Sequence, residues 1–408
     1  MICGMVGMNF FDNLQLKKFQ MKPETYKFES DLRYLNETAK SLNNESKQRG
    51  AIYTRPEVVN LILDLAGYTV DRSLHKMRIL EPSFGEGSFV VSIIERLLQS
   101  YKSEKKDLSK AEVDLEKAVR AVELHPETFQ NSRNKIVNFL EAQGLTENQS
   151  MTLVNSWLIC GDFLLEEFEN DFTHVVGNPP YVRQELIPTE LIREYRKLFK
   201  TIFDRADIYI PFIEKSLSLL EKQGTLGFIC SDRWIKNRYG QPLRRLINEK
   251  FFLKYHIDMN DTPAFHSDVI AYPAITVIQN APPGKTSVLS YLEIKNRVNA
   301  ENGEVLNGFD AIWKTESTHN FAQIKSTNEP WILHANGETK LIQRLEKEFP
   351  CIEMTNCKIG IGVATGADKV YIAKFDEIDV ETDRKLPIVM TRDIKTGKVI
   401  WRGYGVIN

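Results

Sequence analysis

Residues 173–182 read THVVGNPPYV, an apolar run that stops on Asn178 and is followed at once by Pro179, Pro180 and Tyr181. A proline has a fixed φ and no amide hydrogen, so the carbonyl of Pro179 and the side-chain oxygen of Asn178 can both be held outward as acceptors. Two acceptors about one amino group apart suit the two hydrogens of an exocyclic NH2, and Tyr181 offers a flat face on which a base can stack. The tetrapeptide equally suits a plain proline turn after a strand, with the tyrosine covering core.

Three acidic residues upstream invite a linked reading. In ILEPSFGEGSFVVSIIERL (79–97), Glu81 ends an apolar run, and Gly85 and Gly87 lead into a helical pattern. Glycines let a ligand approach the backbone, and a helix N-terminus attracts negative charge such as a carboxylate. The spacing is not the dinucleotide GxGxxG, and a tight turn also accounts for it. Glu123 in AVELHP stands where a carboxylate can accept hydrogen bonds from a ribose diol. Asp162 in CGDFL can accept from an adenine amino group while Phe163 flanks the ring. Taken singly, each acid also reads as a helix cap or a surface group. Three of them closing three successive apolar runs form a pattern.

Those runs alternate with helical periodicity. PEVVNLILDLAG (56–67) carries Pro56 in its first turn, apolar residues at helical spacing and a closing Gly67, so it predicts an amphipathic helix. Strands are expected at 78–80, 119–124, 157–164 and 174–178, with helices from about Ser88 and from Pro126. DIYIPFIEKSLSLLEKQG (207–224) reads as a helix, TLGFICS (225–231) as a strand and GQPLRRLINEKF (240–251) as a helix. YHIDM (255–259) and AITVIQN (274–280) read as strands. The rhythm implies an α/β fold, a doubly wound, mostly parallel sheet with helices on both faces, whose ligands sit at the carboxyl ends of the strands. Residues 1–48 read as an N-terminal helical arm, 49–295 as the catalytic domain, and the Asn- and Gly-rich stretch within 296–339 as a connector. Residues 340–408 read as a second, smaller α+β domain.

With 408 residues, 42% hydrophobic and 26% charged, the chain has the composition of a globular protein of more than one core. No apolar run approaches the roughly 20 residues of a membrane helix, and the N-terminus lacks the basic-then-apolar order of a signal peptide, so a cytoplasmic location is expected. The five cysteines are scattered without zinc-site spacing and read as buried free thiols, with no metal site. A net charge of −2 does not advertise nucleic acid, and the basic runs REYRK (193–197) and DRWIKNRYGQPLRR (232–245) also suit solvated helix faces.

The order GAIYT, EPSFGEG, VELHP, GDFL, NPPY, spread over about 130 residues, resembles the γ-type amino-methyltransferases that modify adenine N6 in DNA, the TaqI- and Eco57I-like enzymes. The resemblance runs from about Arg49 to Ala281. It implies the class I methyltransferase fold, S-adenosylmethionine as cofactor and double-stranded DNA as partner, within a restriction-modification or phage-defence system. By resemblance, the segment of Ile52 and Thr54 folds over the methionine end of the cofactor, against Glu81 and Ser83, with the turn at Gly85 and Gly87. Glu123 and Leu124 match the ribose and adenine contacts, and Asp162 with Phe163 the adenine-reading pair. Phe212 matches an aromatic lining that adenine, and Asn178 and Pro180 border the cofactor as well. Asn178, Pro179 and Tyr181 match the catalytic motif, and Tyr181 and Phe265 the contacts to the target base. The chemistry implied is attack by an amino nitrogen of low nucleophilicity on the sulfonium methyl, after the base has been turned out of the duplex, without metal or covalent enzyme intermediate.

Two departures stand out. Arg55 replaces a proline common in the family's YTP turn. GIGVATGADKVYIA and VMTRDIK resemble the start of a target-recognition domain, yet the sequence ends at Asn408, sooner than such a domain does. Either more chain or a partner subunit is then expected to complete DNA recognition. YLEIK (291–295) contains the Glu-x-Lys of a nuclease signature but is expected to be an ordinary edge strand, and no cleavage activity is expected. Two alternatives share the sequence features: a methyltransferase of the same fold acting on a protein glutamine or RNA amino group, and a catalytically silent DNA-binding subunit.

Overall fold

The computed structural model describes residues 54–260, 273–291 and 365–408, together with 262, 264 and shorter stretches between 320 and 360. The N-terminal arm, Ile52, Phe265 and most of the connector lie outside the described residues. The chain forms two compact units, Met1–Leu341 and Ile342–Asn408.

In the first unit, β1 (Ile79–Glu81), β2 (Val119–Glu123), β3 (Leu158–Cys160), β4 (Phe172–Gly177), β5 (Leu220–Ser231), β6 (Phe252–Asp258), β7 (Pro273–Gln279), β8 (Thr286–Ser290) and β9 (Asn320–Ala322) build one sheet. Its order is β3-β2-β1-β4-β5-β7-β6-β8-β9. β1 to β5 pair parallel with their neighbours, whereas β7 runs antiparallel between β5 and β6. This is the expected doubly wound, mostly parallel architecture.

Side-chain alternation along the strands splits the core in two, because successive residues of a strand face opposite sides of the sheet. Ile79, Ala121, Val176 and Ile229 belong to one apolar layer. It packs under α1 (Pro56–Ala66), α2 (Ser88–Ser103), α3 (Pro126–Ala142) and α4 (Glu147–Trp157). Leu80, Val122, Val175 and Phe228 belong to the other layer, with α5 (Thr189–Leu198), α6 (Tyr209–Ser218) and α7 (Gln241–Lys250). The chain moves outward from β1 to β2 and β3, then crosses back to β4 and β5. Its direction of winding therefore reverses between β1 and β4, the place where folds of this kind bind ligands, at the carboxyl ends of the strands.

Several expectations need correction. The run expected to be a strand through Leu164 leaves the sheet at Cys160, since Leu165 N and Glu166 N both donate to Asp162 O at 2.9 Å and turn the chain. The helix expected through Gly224 ends at Ser218. Gln223 takes a left-handed φ of 70° and its amide donates to Asn280 O at 3.0 Å, which turns EKQG into the start of β5. Helix α4 was not anticipated; its signal is the capping box of TENQ, in which Gln149 N donates to Thr146 Oγ1 at 3.3 Å and Thr146 N to Gln149 Oε1 at 3.0 Å. Among the described cysteines only Cys230 is buried, and Cys160 and Cys357 are exposed. Asn320–Ala322 adds a strand to the main sheet, and Trp331 and Leu333 bury in its second apolar layer, all within the stretch read as connector. β8 ends at Ser290, and residues 292–295 of YLEIK lie outside the described residues.

The second unit contains a three-stranded antiparallel sheet, Ile372–Lys374, Tyr404–Ile407 and Lys385–Pro387 in that spatial order, and the hairpin Ile394–Lys395 with Lys398–Val399. No helix among the described residues is long and apolar enough to cross a membrane.

Candidate active site at the carboxyl edge of the sheet

Strand register gathers the residues singled out above. β1 and β4 pair as Ile79 with His174 and Leu80 with Val175, so Ser83 and Asn178, each three residues further on, leave the sheet side by side. Ser83 Oγ donates to Asn178 O at 3.1 Å. β2 pairs with β3 as Glu123 with Cys160, which sets Asp162 just beyond Glu123. Glu81, Glu123, Asp162 and Asn178 thus stand at or just beyond the ends of four neighbouring strands.

At the first of these, Gly85 and Gly87 adopt φ of 52° and 90°, left-handed conformations that only glycine takes without strain, and a Cβ on either would meet nothing within 4 Å. The loop therefore presents bare backbone to open space. The N-cap of the helix α2 that follows is Gly87, which has no side chain to cap it, and the Val90 amide of its first turn bonds to the Glu81 carboxyl. Glu123 fixes the loop from below. Its Oε2 accepts Gly85 N at 2.9 Å and its Oε1 accepts His125 N at 2.8 Å, while Ser132 Oγ donates to Gly85 O at 2.8 Å. The carboxylate expected to await a ribose thus also staples the two loops together, with the Leu124 amide as a further donor to it. Leu124 lies between Glu123 and His125 in this second loop.

Glu81 is almost completely buried, and its Oε2 has no hydrogen-bond partner among the described residues. Burial, then the neighbouring Glu123, push its carboxyl well above the usual range, and the Val90 amide opposes them. Glu123 is also raised, chiefly by burial, against its hydrogen bonds from His125 and Gly85. Asp162 is buried with Oδ1 accepting Leu164 N at 2.8 Å and Oδ2 accepting the Tyr195 hydroxyl; burial raises it, and Tyr195, Leu164 and Lys215 pull the other way. Phe163 packs against Phe212 with ring centroids 5.0 Å apart.

At the fourth strand end, Asn178 Nδ2 donates to Thr54 Oγ1 at 3.3 Å. With Nδ2 bonded to Thr54, Oδ1 lies on the opposite side of the carboxamide. Thr54 itself is buried, and the next residue is anchored by Arg55 N donating to Ala264 O at 3.2 Å. Pro179 is buried and Pro180 half-buried after Asn178. Tyr181 is half-buried, its hydroxyl donating to Ile229 O at 3.4 Å and its ring 6.5 Å from that of Tyr209. The hydroxyl and ring contacts together fix the Tyr181 side chain.

Sequence reasoning overlooked Tyr195 and Lys215. Tyr195 sits in the basic run REYRK, where Arg193, Arg196 and Lys197 are exposed and the tyrosine alone turns inward. Lys215 follows Phe212 by three residues, one turn along the same helix face. In the other basic run, Arg244 is a core strut: it is buried and donates to Trp234 O at 2.6 Å and Asn237 O at 2.8 Å. Among the described residues no group of three or more His, Cys, Asp or Glu is arranged to hold a metal ion.

The Eco57I restriction-modification methylase family model matches residues 59–265. The chain is 52% identical over 360 residues to the type II methyltransferase M.PaeR7I of Pseudomonas aeruginosa, covering 88% of this chain and 62% of that protein. It is 44% identical over 366 residues to the type II methyltransferase M.XhoI of Xanthomonas vasicola, covering 88% of this chain and 67% of that one. It thus spans about two thirds of the length of these relatives. Among solved structures, the DrdV–DNA complex shares the fold with a TM-score of 0.51 and 14% identity, over 88% of this chain and 39% of that one. On the match over residues 59–265, which carries all four strand ends of the site, this chain belongs to the Eco57I family of restriction-modification methylases.

Proposed function

We propose that the chain is a site-specific DNA methyltransferase that transfers a methyl group from S-adenosylmethionine to N6 of an adenine turned out of the duplex. The observation that carries this reading is the Asn178 carboxamide, held by Thr54 beside Ser83 at the reversal between β1 and β4. Family membership and the similarity to type II methyltransferases support DNA as the substrate.

The residues present fit the cofactor. Open space over Gly85 and Gly87, the N-terminus of α2 and the buried Glu81 Oε2, without a hydrogen-bond partner among the described residues, suit the charged methionine end. Glu123 suits a ribose diol and Leu124 the adenine beside it. Asp162 suits an exocyclic amine, and Phe163 with Phe212 an apolar ring. Thr54 and Pro180 suit this end as well, and by resemblance so does Ile52, which lies outside the described residues. When bound, the cofactor supplies a methyl group on a positively charged sulfur.

The chain's own part is to hold the amino group. Asn178 Oδ1 and the Pro179 carbonyl accept its two hydrogens, which draws electron density onto the nitrogen and keeps its lone pair aimed outward. Tyr181 gives the extruded base a stacking face, and by resemblance Phe265, outside the described residues, is read as a second aromatic contact to that base. The smaller unit is read as part of the DNA-recognition domain, with further chain or a partner completing it. Its exposed Arg392, Lys398 and Trp401 are of types that suit a nucleic-acid surface.

The purified chain, incubated with methyl-labelled cofactor and plasmid DNA, should yield N6-methyladenine on digestion to nucleosides. Asn178→Ala should bring that yield to background while cofactor affinity persists. Label on another base, or wild-type rates in Asn178→Ala, overturns the assignment.

A further inference from the structure

The adenine-reading loop is held by two residues that the proposed function does not use. Lys215, on α6, donates from Nζ to Phe163 O at 2.6 Å and to Glu166 O, tying both carbonyls of the turn that follows β3. The same ammonium lies 5.0 Å from the Phe163 ring centroid and 5.5 Å from that of Phe168, and Phe212 presses on Phe163 from one turn earlier on the same helix. From the other side, α5 brings Tyr195, 4% exposed, to donate its hydroxyl to Asp162 Oδ2.

We propose that Lys215 and Tyr195 are positioning residues for cofactor selection, keeping Asp162 an oriented, ionised acceptor so that the site takes a 6-amino purine and rejects a 6-oxo one. The inference rests on the proposed function. Reading an exocyclic NH2 requires an acceptor, and a buried carboxyl that takes up a proton becomes a donor and welcomes a carbonyl instead. Burial pushes Asp162 toward that neutral form, and the Tyr195 hydroxyl, the Leu164 amide and the Lys215 charge counter it. Lys215 feels burial too, which brings it down to about 8 against the pull of Asp162, Glu166 and Glu167, so it stays charged at neutral pH.

The test compares binding of S-adenosylhomocysteine and S-inosylhomocysteine, its 6-oxo analogue, to the whole chain at pH 7. The unaltered protein should favour the adenosyl compound. Lys215→Met, similar in length but uncharged, should cut that preference on the order of tenfold, the scale of a hydrogen bond to a charged group. Lys215→Arg should restore most of it. Tyr195→Phe, which keeps the packed ring, gives a second variant should Lys215→Met not fold, and it should narrow the preference in the same direction. A structural role alone would lower the folded fraction and leave the ratio of the two affinities unchanged; that result in both variants sinks the inference. Absence of binding of either nucleoside by the unaltered chain overturns the cofactor reading and this inference with it.

Discussion

Replacing Glu123 by Gln tests whether one carboxylate both builds the cofactor loop and reads the ribose. In the folded protein its two oxygens accept backbone amides from Gly85 at 2.9 Å and from His125 at 2.8 Å, and the side chain is 5% exposed. A glutamine offers one acceptor. Whichever way it turns, its NH2 faces one of the two amides, so a charge-assisted bond is lost and a buried donor is left against a donor. Each such bond contributes about 1.5–3 kcal/mol, and leaving a buried donor unsatisfied costs about 1–3 kcal/mol. Against this stands relief: removing the Glu123 charge eases Glu81, whose carboxyl it pushes up. We expect a net loss of about 2 kcal/mol in urea-unfolding free energy, with an unchanged denaturant slope. Cofactor affinity should fall further than stability explains, by about 10- to 100-fold, because the ribose loses its acceptor pair as well. Loss of stability with unchanged affinity would mean that Glu123 is only a staple. Wild-type stability and affinity together would refute the hydrogen-bond account altogether.

Two more predictions concern pH. Glu81 is raised in the folded state by burial and by Glu123, so the folded protein holds that proton more tightly than the unfolded chain does. Its contribution is fully present below about pH 4.5 and is lost as pH rises through its folded value. Glu81→Gln should therefore be more stable than the unaltered chain at pH 8 and match it near pH 4.5, while losing cofactor affinity; an equal stability gap at both pH values contradicts this. His174 is the opposite case, pushed down to about 4 by burial and then by Arg72. Its contribution is present above its ordinary 6.5 and lost as pH falls toward 4, a change of about 3 kcal/mol in unfolding free energy. His174→Phe should flatten that acid limb in denaturant titrations, and an acid limb of undiminished depth in the variant would exclude His174 as its source.

The residues at strand ends were the legible part of the site. Glu81, Glu123 and Asn178 each close a short, near-continuous apolar run, the mark of a strand buried on both faces, and in a parallel sheet such ends fall on one edge whatever the intervening helices do. Even so, the sequence does not tell that Glu123 would spend a lone pair of each oxygen on the loops it joins, because those bonds depend on how Gly85 and His125 bend back toward it. Thr54 was picked out by resemblance, yet its bond to Asn178, 124 residues away, is a product of how α1 docks on the sheet.

The illegible part follows a rule of its own. Tyr195 and Lys215 each lie on a helix whose neighbouring residues explain the local pattern without them: a basic, solvated face for REYRK and an apolar face for DIYIPFIEK. Local periodicity reports which face of a helix is buried, not what that face meets. Both helices happen to meet the same turn, 161–166, because β3 leaves the sheet early and its chain bends back under α5 and α6. The turn that carries Asp162 is itself set by backbone bonds that no side-chain pattern announces, Leu165 N and Glu166 N both donating to Asp162 O at 2.9 Å.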